Sequence, residues 1–534
     1  MIFPRAIASA FLGRPMAETT SGYNAATRGR RTINFGATTR GVSSLALADG
    51  PMLTARARKT VMDNPVASTG VGAFIAEVIG TGLRPHSRHP DPAKRRAIEK
   101  EFSLWVPQSS AARRIGPGGK PDSLQDFFLQ QQLVCRNVIE AGEAFARYRY
   151  RLASDLSPLG LRVPLQIDLI EPEQLAFWRM TGEQMAPGNI IRASIEFNQI
   201  HERVAYYFYR EHPGDATIWP NAFEVTRVPA QEVLHVMEYL RGNQIRGITA
   251  LASVLIALND LDEFIDSTRM KQKLGAFLFA WKKSLQPDDS GYNAKGQVGT
   301  DVAPAGSQYV ESQPGSVTIL DANIAEDFGF HEPTGVPNTY EAYVRRELQQ
   351  ISSALRVTYD MLTGDNSSTT FMNARVRLIA IRRQWRQFQK AIIVHQFCRP
   401  VWREWIDAAA LAGVIDAKDY RKKPEDYLAV EWLPQPWEWV DPVKDLLALR
   451  MEMESCLTSR EAVVAGRGRD VDEVDAEIQR DHIREQQMGI EPIFGAYRIT
   501  ETIAEKPGDN PSEDEIPGIQ NDETGTDTGA KTKK

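Results

Sequence analysis

Two long amphipathic patterns bracket a short polar loop, and that alternation constrains the fold more than any other feature of the chain. Before the loop, Tyr343, Leu348, Ile351 and Leu355 recur on one helical face; after it, Leu378, Ile381, Trp385, Phe388 and Ile392 keep a heptad-like stripe running toward Trp405. Apolar residues three and four apart define a helix with one buried side. Between the two stand Leu362-Thr363-Gly364 and Asp365-Asn366-Ser367-Ser368-Thr369-Thr370, followed by Asn373-Ala374-Arg375-Val376-Arg377. The loop side chains are too polar to bury and too short to act as a reactive acid or base. They face water or a weakly gripped ligand.

A third stripe, Leu251, Val254, Leu255, Leu258, Leu261 and Ile265, predicts a long helix capped by Thr249 after the turn Arg241–Gly247. Residues 283–337 are rich in Pro, Gly, Asp and Ser, with strand-like pieces such as Ser316–Leu320, and read as a small strand-containing insertion between helices. Upstream, a helix is expected from Pro51 to Asn64 and another from Val66 to Ile79, and Asp122 is the expected N-cap of a helix carrying Phe127, Val134 and Val138. Alternation over Ala144–Tyr150, Leu165–Ile170, Ile195–Phe197 and Val204–Tyr209 predicts strands. At 534 residues the chain exceeds the size of one hydrophobic core, so two to four structural units are expected. The fold class is α+β, predominantly helical.

No apolar run reaches the roughly 20 residues of a membrane span. The first dozen residues lack the pattern of a signal peptide, so synthesis in the cytoplasm is expected. Cys135, Cys398 and Cys456 lie too far apart for a zinc or redox motif and are read as buried thiols. The net charge of -6 argues against wrapping nucleic acid over the whole surface while leaving room for local basic patches. Charge is uneven: residues 1–50 form a basic, mobile segment and residues 496–534 a disordered acidic tail.

Catalytic signals are weak, and no catalytic residue, metal ligand or cofactor is assigned. Gly116-Pro117-Gly118-Gly119-Lys120 lacks the first glycine and the final hydroxyl of a phosphate-binding loop. His86 and His89 form the only close histidine pair, which is too few ligands for zinc. Asp260, Asp262, Glu263 and Asp266 fit a solvated helix face better than a metal site. The arginines after the loop read as solvated surface or as nucleic-acid contacts. Trp432, Trp437 and Trp439 read as packing or as a stacking platform for bases, the intervening prolines favouring packing.

The order of these features resembles the portal proteins of tailed bacteriophages, most closely the lambda-like family. The resemblance rests on Asp63-Asn64-Pro65, Val78–Leu83, Ala141–Phe145, Leu165–Pro172, Arg227–Ala230 with Val233-Leu234-His235, Gln244–Ile248, Asp365–Ser368 with Arg375, and Trp439–Pro442. The spacing from Ser367 to Arg375 is longer than in that branch. The resemblance implies a ring subunit with wing, stem, clip and crown. Mapped here, the wing is 51–246, the first stem helix 247–279, the clip 280–337 and the second stem helix 338–362. A channel loop at 363–373 follows, then a long helix toward the crown at 374–412 and a wing/crown part at 413–495.

By the same resemblance the chain forms a homo-oligomer, usually a dodecamer, at one vertex of the virion capsid. Double-stranded DNA passes through it during packaging and ejection without being read. The implied partners are the terminase large subunit at the clip, the major capsid and scaffold proteins, and head–tail connector proteins, with no membrane and no enzymatic activity. The expected channel residues are Thr363, Asp365, Asn366, Ser367, Ser368, Thr369 and Thr370, with Arg375, Arg377, Arg382 and Arg386 as DNA-facing cations. The rival readings are a metal-dependent nucleic-acid enzyme using Asp260 and Asp262, or another phage structural hub.

Overall fold

The computed structural model describes residues 36–115, 121–152, 154, 156, 160–176, 188–215, 223–275, 280–283, 327–330, 339–367, 370–437 and 442–489. They fall into two units, the second comprising residues 450–465 and those from 469 onward.

The first unit opens with helix α1, Val42–Asp63, so the helix expected from Pro51 begins nine residues earlier, inside the segment expected to be mobile. Pro51 removes one backbone donor from the helix interior. Burial of Val42, Ala46, Ala57 and Val61 along one face outweighs that loss. Ser43 Oγ also donates to the Asn243 carbonyl at 3.0 Å and accepts from the Ile245 amide at 3.1 Å, fixing the first turn. Helix α2, Pro65–Val78, is capped by Asn64, whose side-chain oxygen accepts from the amides of Val66 and Ala67 at 2.9 and 3.1 Å. Pro65 at the first helical position wastes no hydrogen bond.

Strand β1 (Arg84–Ser87) and helix α3 (Pro92–Trp105) follow, then the pair β2 (Arg113–Ile115) and β3 (Pro121–Ser123). Helix α4, Phe127–Glu140, takes its cap from Asp126 and not from Asp122. Asp126 lies next to the first free amides and accepts from Leu129 N at 2.7 Å, whereas Asp122 stands in β3 and pairs with Arg114 at 3.0 Å.

Two antiparallel sheets come next. Strands β4 (Glu143–Tyr150) and β5 (Leu165–Ile170) form one sheet that β10 (Val233–Met237) completes in the order β10-β4-β5; β6 (Ile190–Arg192), β7 (Ile195–Phe197), β8 (Arg203–Tyr209) and β9 (Val225–Pro229) form a meander in chain order. Phe145 meets Phe208 edge-on at 5.4 Å between the two sheets.

Thr249 caps a tight turn at Ala250–Ser253, and helix α5 then runs over Leu255–Gly275. Leu251, Val254, Leu255, Leu258 and Leu261 are buried, as their spacing predicts. Strands β11 (Ala280–Lys283) and β12 (Asp327–Phe330) pair antiparallel; Ser316–Leu320, expected as a strand, lies outside the described residues. Helix α6 (Tyr340–Ala354) and the short α7 (Tyr359–Thr363) lead into the polar loop, and α8 (Phe371–Phe388) leaves it. The same rod continues through wider, π-helical turns over Gln389–Cys398 into α9, Arg399–Leu411. Short helices α10 (Ala417–Lys422) and α11 (Pro424–Leu428) precede β13 (Val430–Leu433), which pairs with β1; α12 (Pro442–Glu454) follows.

The centre of the unit is aromatic. Phe102 lies 5.0 Å from Trp405, 5.2 Å from Trp402 and 5.8 Å from Phe127 between ring centroids, and Trp432 closes the cluster at 6.4 Å. Such pairs each add about 0.5–1.5 kcal/mol beyond area burial. Trp432 therefore packs in the core, the reading the prolines favoured. Cys135 and Cys398 are buried as expected, but Cys456, in the turn after α12, is exposed.

In the second unit, Asp470 caps helix α14 (Val471–Met488), which follows α13 (Arg460–Gly466). Ion pairs Arg460–Asp475 and Arg469–Glu477 hold it together in place of a core, since none of the α14 side chains is fully buried. Among the described residues no helix is long and apolar enough to cross a membrane.

Candidate functional site

The polar loop is a built turn. Helix α7 stops at Gly364, whose φ of 71° is the left-handed cap that glycine adopts without strain, and its amide donates to the Asp360 carbonyl at 2.8 Å. Thr363 Oγ1 donates to the Tyr359 carbonyl at 2.9 Å and accepts from Asp365 N at 3.2 Å. One oxygen of Asp365 then accepts from the amide and hydroxyl of Ser367 at 2.9 and 2.6 Å. The other accepts from Tyr359 Oη at 3.2 Å and faces Arg345 at 3.3 Å. The Ser367 bonds, with Tyr359 and Arg345 behind them, hold the Asp365 carboxyl below its ordinary range. The only carboxylate among residues 363–370 is thus neutralised from inside. Thr363, Asn366, Ser367 and Thr370 remain exposed; Ser368 and Thr369 lie outside the described residues.

The four expected cations divide. Arg375 is half-buried in an ion pair with Asp445. Arg382 and Arg386 stand over the Trp437 ring, 5.3 and 5.0 Å from its centroid, and burial lowers the Arg382 pKa against the pull of Glu77. Trp437 also donates to the Glu77 carbonyl at 3.3 Å, so it serves packing; Trp439 lies outside the described residues. Arg377 is exposed and pairs with no described residue.

Sequence reasoning assigned no role to a buried charge cluster beneath the turn that leads into α5. Glu143, at the start of β4, faces His235 Nε2 at 3.0 Å and accepts from Arg246 Nε at 2.7 Å and the Gly247 amide at 2.8 Å. His235 Nδ1 lies 3.2 Å from the Arg203 guanidinium, which can only donate, so the neutral imidazole carries its proton on Nε2 and gives it to Glu143. Burial pushes the Glu143 carboxyl up, but Arg246 and His235 outweigh it and hold the group down at about 2. Burial pushes His235 down to about 4, with Glu143 opposing. Two glycines let the backbones cross here: a Cβ on Gly247 would meet the Gly142 carbonyl oxygen at 2.1 Å, and one on Gly142 would meet Ile248 backbone at 2.3 Å. The available signal was the placement of Gly142-Glu143, His235 and Arg246-Gly247 at element ends.

Glu171, Glu173 and His212 converge, but Glu173 is held by Arg58 at 2.5 and 3.0 Å and His212 Nδ1 accepts from the Gly214 amide at 3.0 Å. Asp260, Asp262, Glu263 and Asp266 are exposed along α5.

The sequence model described as "Phage portal protein, lambda family" matches residues 28–389, well over half of the chain. The chain belongs to that family of portal proteins. It is 24% identical over 474 residues to a protein named "Probable portal protein" from Halomonas phage phiHAP-1, covering 88% of this chain and 87% of that one. It is 20% identical over 342 residues to the portal protein of Escherichia phage N15, covering 59% of this chain and 63% of the relative. Among solved structures, a chain of the virion of the native gene transfer agent particle matches at 11% identity and a TM-score of 0.38, over 80% of this chain and 96% of that one. The crystal structure of an HK97 family phage portal protein from Corynebacterium diphtheriae matches at 13% identity and a TM-score of 0.28, over 61% and 84%. Portal proteins are structural components of the virion, and this chain's function is that of a phage portal.

Proposed function

We propose that the chain assembles into a homo-oligomeric ring at one capsid vertex, a dodecamer in the family's usual form, and that double-stranded DNA enters and leaves through it. The ring is a passive conduit. ATP hydrolysis belongs to a separate terminase, whose large subunit docks on the clip formed by residues 280–337 and later gives way to head–tail connector proteins; capsid and scaffold proteins surround the wing. The stem is α5 with α6, and the loop at 363–373 faces the channel.

The observation that carries this reading is the chemistry of the loop within a portal chain. Exposed Asn366 and Thr370 offer a neutral amide and a hydroxyl, while the Thr363 and Ser367 hydroxyls donate inward to Tyr359 and Asp365, and Asp365 is held by Ser367, Tyr359 and Arg345. Each cation bound to phosphate adds affinity and salt dependence, so a surface of neutral donors makes contacts that DNA can exchange while sliding. Arg377 offers one exposed positive charge beside the loop to offset repulsion; Arg375, Arg382 and Arg386 act as supports for α8 in the isolated subunit.

Deleting Ser367 to Thr370 tests the role of the loop. Rings visible by electron microscopy with reduced DNA filling of particles are expected. Normal filling removes the loop from the mechanism, and a stable monomer under assembly conditions removes the ring.

A further inference from the structure

The solvent side of α8 is not the polar face that an isolated surface helix carries. Its inward stripe of half-buried Ile381 and buried Trp385 and Phe388 is backed, on the opposite side, by Met372, Val376 and Ile379, and the same line continues into Arg383. Val376 is 60% exposed. Residues four, seven and eleven apart stand above one another on a helix, so this is one continuous face with apolar residues near the loop and a cation beyond them.

Helix α5 carries a counterpart. Opposite its buried leucines stand Ile256, Asp260, Glu263 and Met270, with Ile256 74% exposed. Glu263 accepts from Asn259 at 2.9 Å, and Asp260 forms no ion pair with a described residue; neither does Arg383. The two faces are of similar length, about 21 Å for Ile256–Met270 and about 16 Å for Met372–Arg383 at the helical rise. Each has large apolar side chains beside charge, and the charges are of opposite sign.

We infer that the α5 face of one subunit docks on the α8 face of the next, Asp260 and Glu263 meeting Arg383 while Ile256 and Met270 pack against Val376 and Ile379. This rests on the ring reading and assigns the surfaces that close it. The occupant is a second copy because the two patches on one chain complement each other, which makes a head-to-tail contact that repeats around a rotation axis. DNA fits neither face well: phosphates gain nothing from Val376 or Ile379, and Asp260 and Glu263 repel them. Apolar side chains flanked by a polar, solvent-accessible rim are the composition of a protein interface.

Charge exchange tests the pairing. Asp260→Lys with Glu263→Lys is made in one variant and Arg383→Glu in another, each assayed alone and as an equal mixture by native mass spectrometry and electron microscopy. Each alone places like charges across the contact and is expected to lower ring yield by about tenfold or more. The mixture restores rings, because alternating subunits bring lysine to glutamate at one contact and native charges together at the next. Rescue also shows that both variants fold. In a Cys456→Ser background, Ile256→Cys with Val376→Cys is expected to form disulfides between subunits under mild oxidation, and neither single cysteine does so.

Full ring yield from each variant alone overturns the inference and leaves the ring reading standing. Loss of rings that mixing fails to restore also overturns it, as does intact assembly with lost DNA retention, which assigns the faces to nucleic acid. A wild-type protein that forms no ring under assembly conditions removes the ring reading itself, and this inference with it.

Discussion

Glu143 and Asp365 perform similar chemistry in opposite surroundings. Each carboxylate accepts from a backbone amide, faces an arginine and orders a chain reversal: Glu143 with Gly247, Arg246 and His235, Asp365 with Ser367, Arg345 and Tyr359. Glu143, His235 and Arg246 are nearly inaccessible, whereas the Asp365 and Arg345 side chains are each 31% exposed. In the interior the bonds cannot be exchanged with water, so the cluster fixes the angle at which the chain enters α5. At the surface water competes for every bond, so the turn is shaped but its outer donors stay available. Burial, more than hydrogen-bond inventory, separates a fixed strut from an exchangeable surface turn.

The comparison breaks if the two sites respond alike to mutation. The largest effect is expected for Glu143→Ala, which leaves Arg246 buried without its counter-charge; removing one partner of such a pair costs about 3–5 kcal/mol. Urea unfolding of the isolated subunit measures it. Gly247→Ala comes next, since the new methyl meets the Gly142 carbonyl and the backbones must part, at about 1–3 kcal/mol; the same titration reads it.

The pH dependence sharpens the contrast. His235 takes up its proton in the unfolded chain near 6.5 but in the folded chain only near 4, so its contribution is complete above 6.5 and is lost as pH falls toward 4. Glu143, held at about 2 against an ordinary 4.5, contributes above 4.5 and loses that contribution as pH falls toward 2. His235→Gln keeps a donor and an acceptor without a titrating ring. It is expected to flatten stability between pH 6.5 and 4 and to leave the steeper loss below 4.5 in place. The smallest effect is expected for Asp365→Asn: an unchanged unfolding midpoint, with faster amide hydrogen exchange at Ser367 as the local readout. A midpoint shift as large as that of Glu143→Ala would show that burial is not what distinguishes the two sites.

Periodicity made the helices legible in the sequence. The stripes through Leu258 and Trp385 predict buried faces, and those faces are buried, because helix geometry converts spacing into direction. Alternation placed β4, β5 and β8 within a residue of their observed starts for the same reason. Element ends were less legible. Local sterics disfavour Pro51 in a helix interior and favour it at a start, yet tertiary burial of Val42 and Ala46 overrides that preference. Asp122 and Asp126 are equally good caps by residue type, and only the strand pairing of Asp122 with Arg114 decides between them. At the loop, the neutral composition was visible, but not that Tyr359 and Arg345 hold its one acid. The Glu143 cluster draws on residues about a hundred positions apart, and no local pattern encodes such a meeting.

The rod from α8 to α9 is interrupted by the wider turns at Gln389–Cys398, where Gln396 exchanges two hydrogen bonds of 3.0 Å with the backbone of Met237 and Gln389 donates to the Val78 carbonyl at 2.7 Å. Wider turns advance the azimuth by less per residue, so the segment acts as a phase adjuster clamped at both ends. The loop-side half can face one direction while Trp402 and Trp405 face the core in another. A lineage could therefore lengthen or shorten the loop, and re-aim the helix that follows it, while inheriting the aromatic centre unchanged.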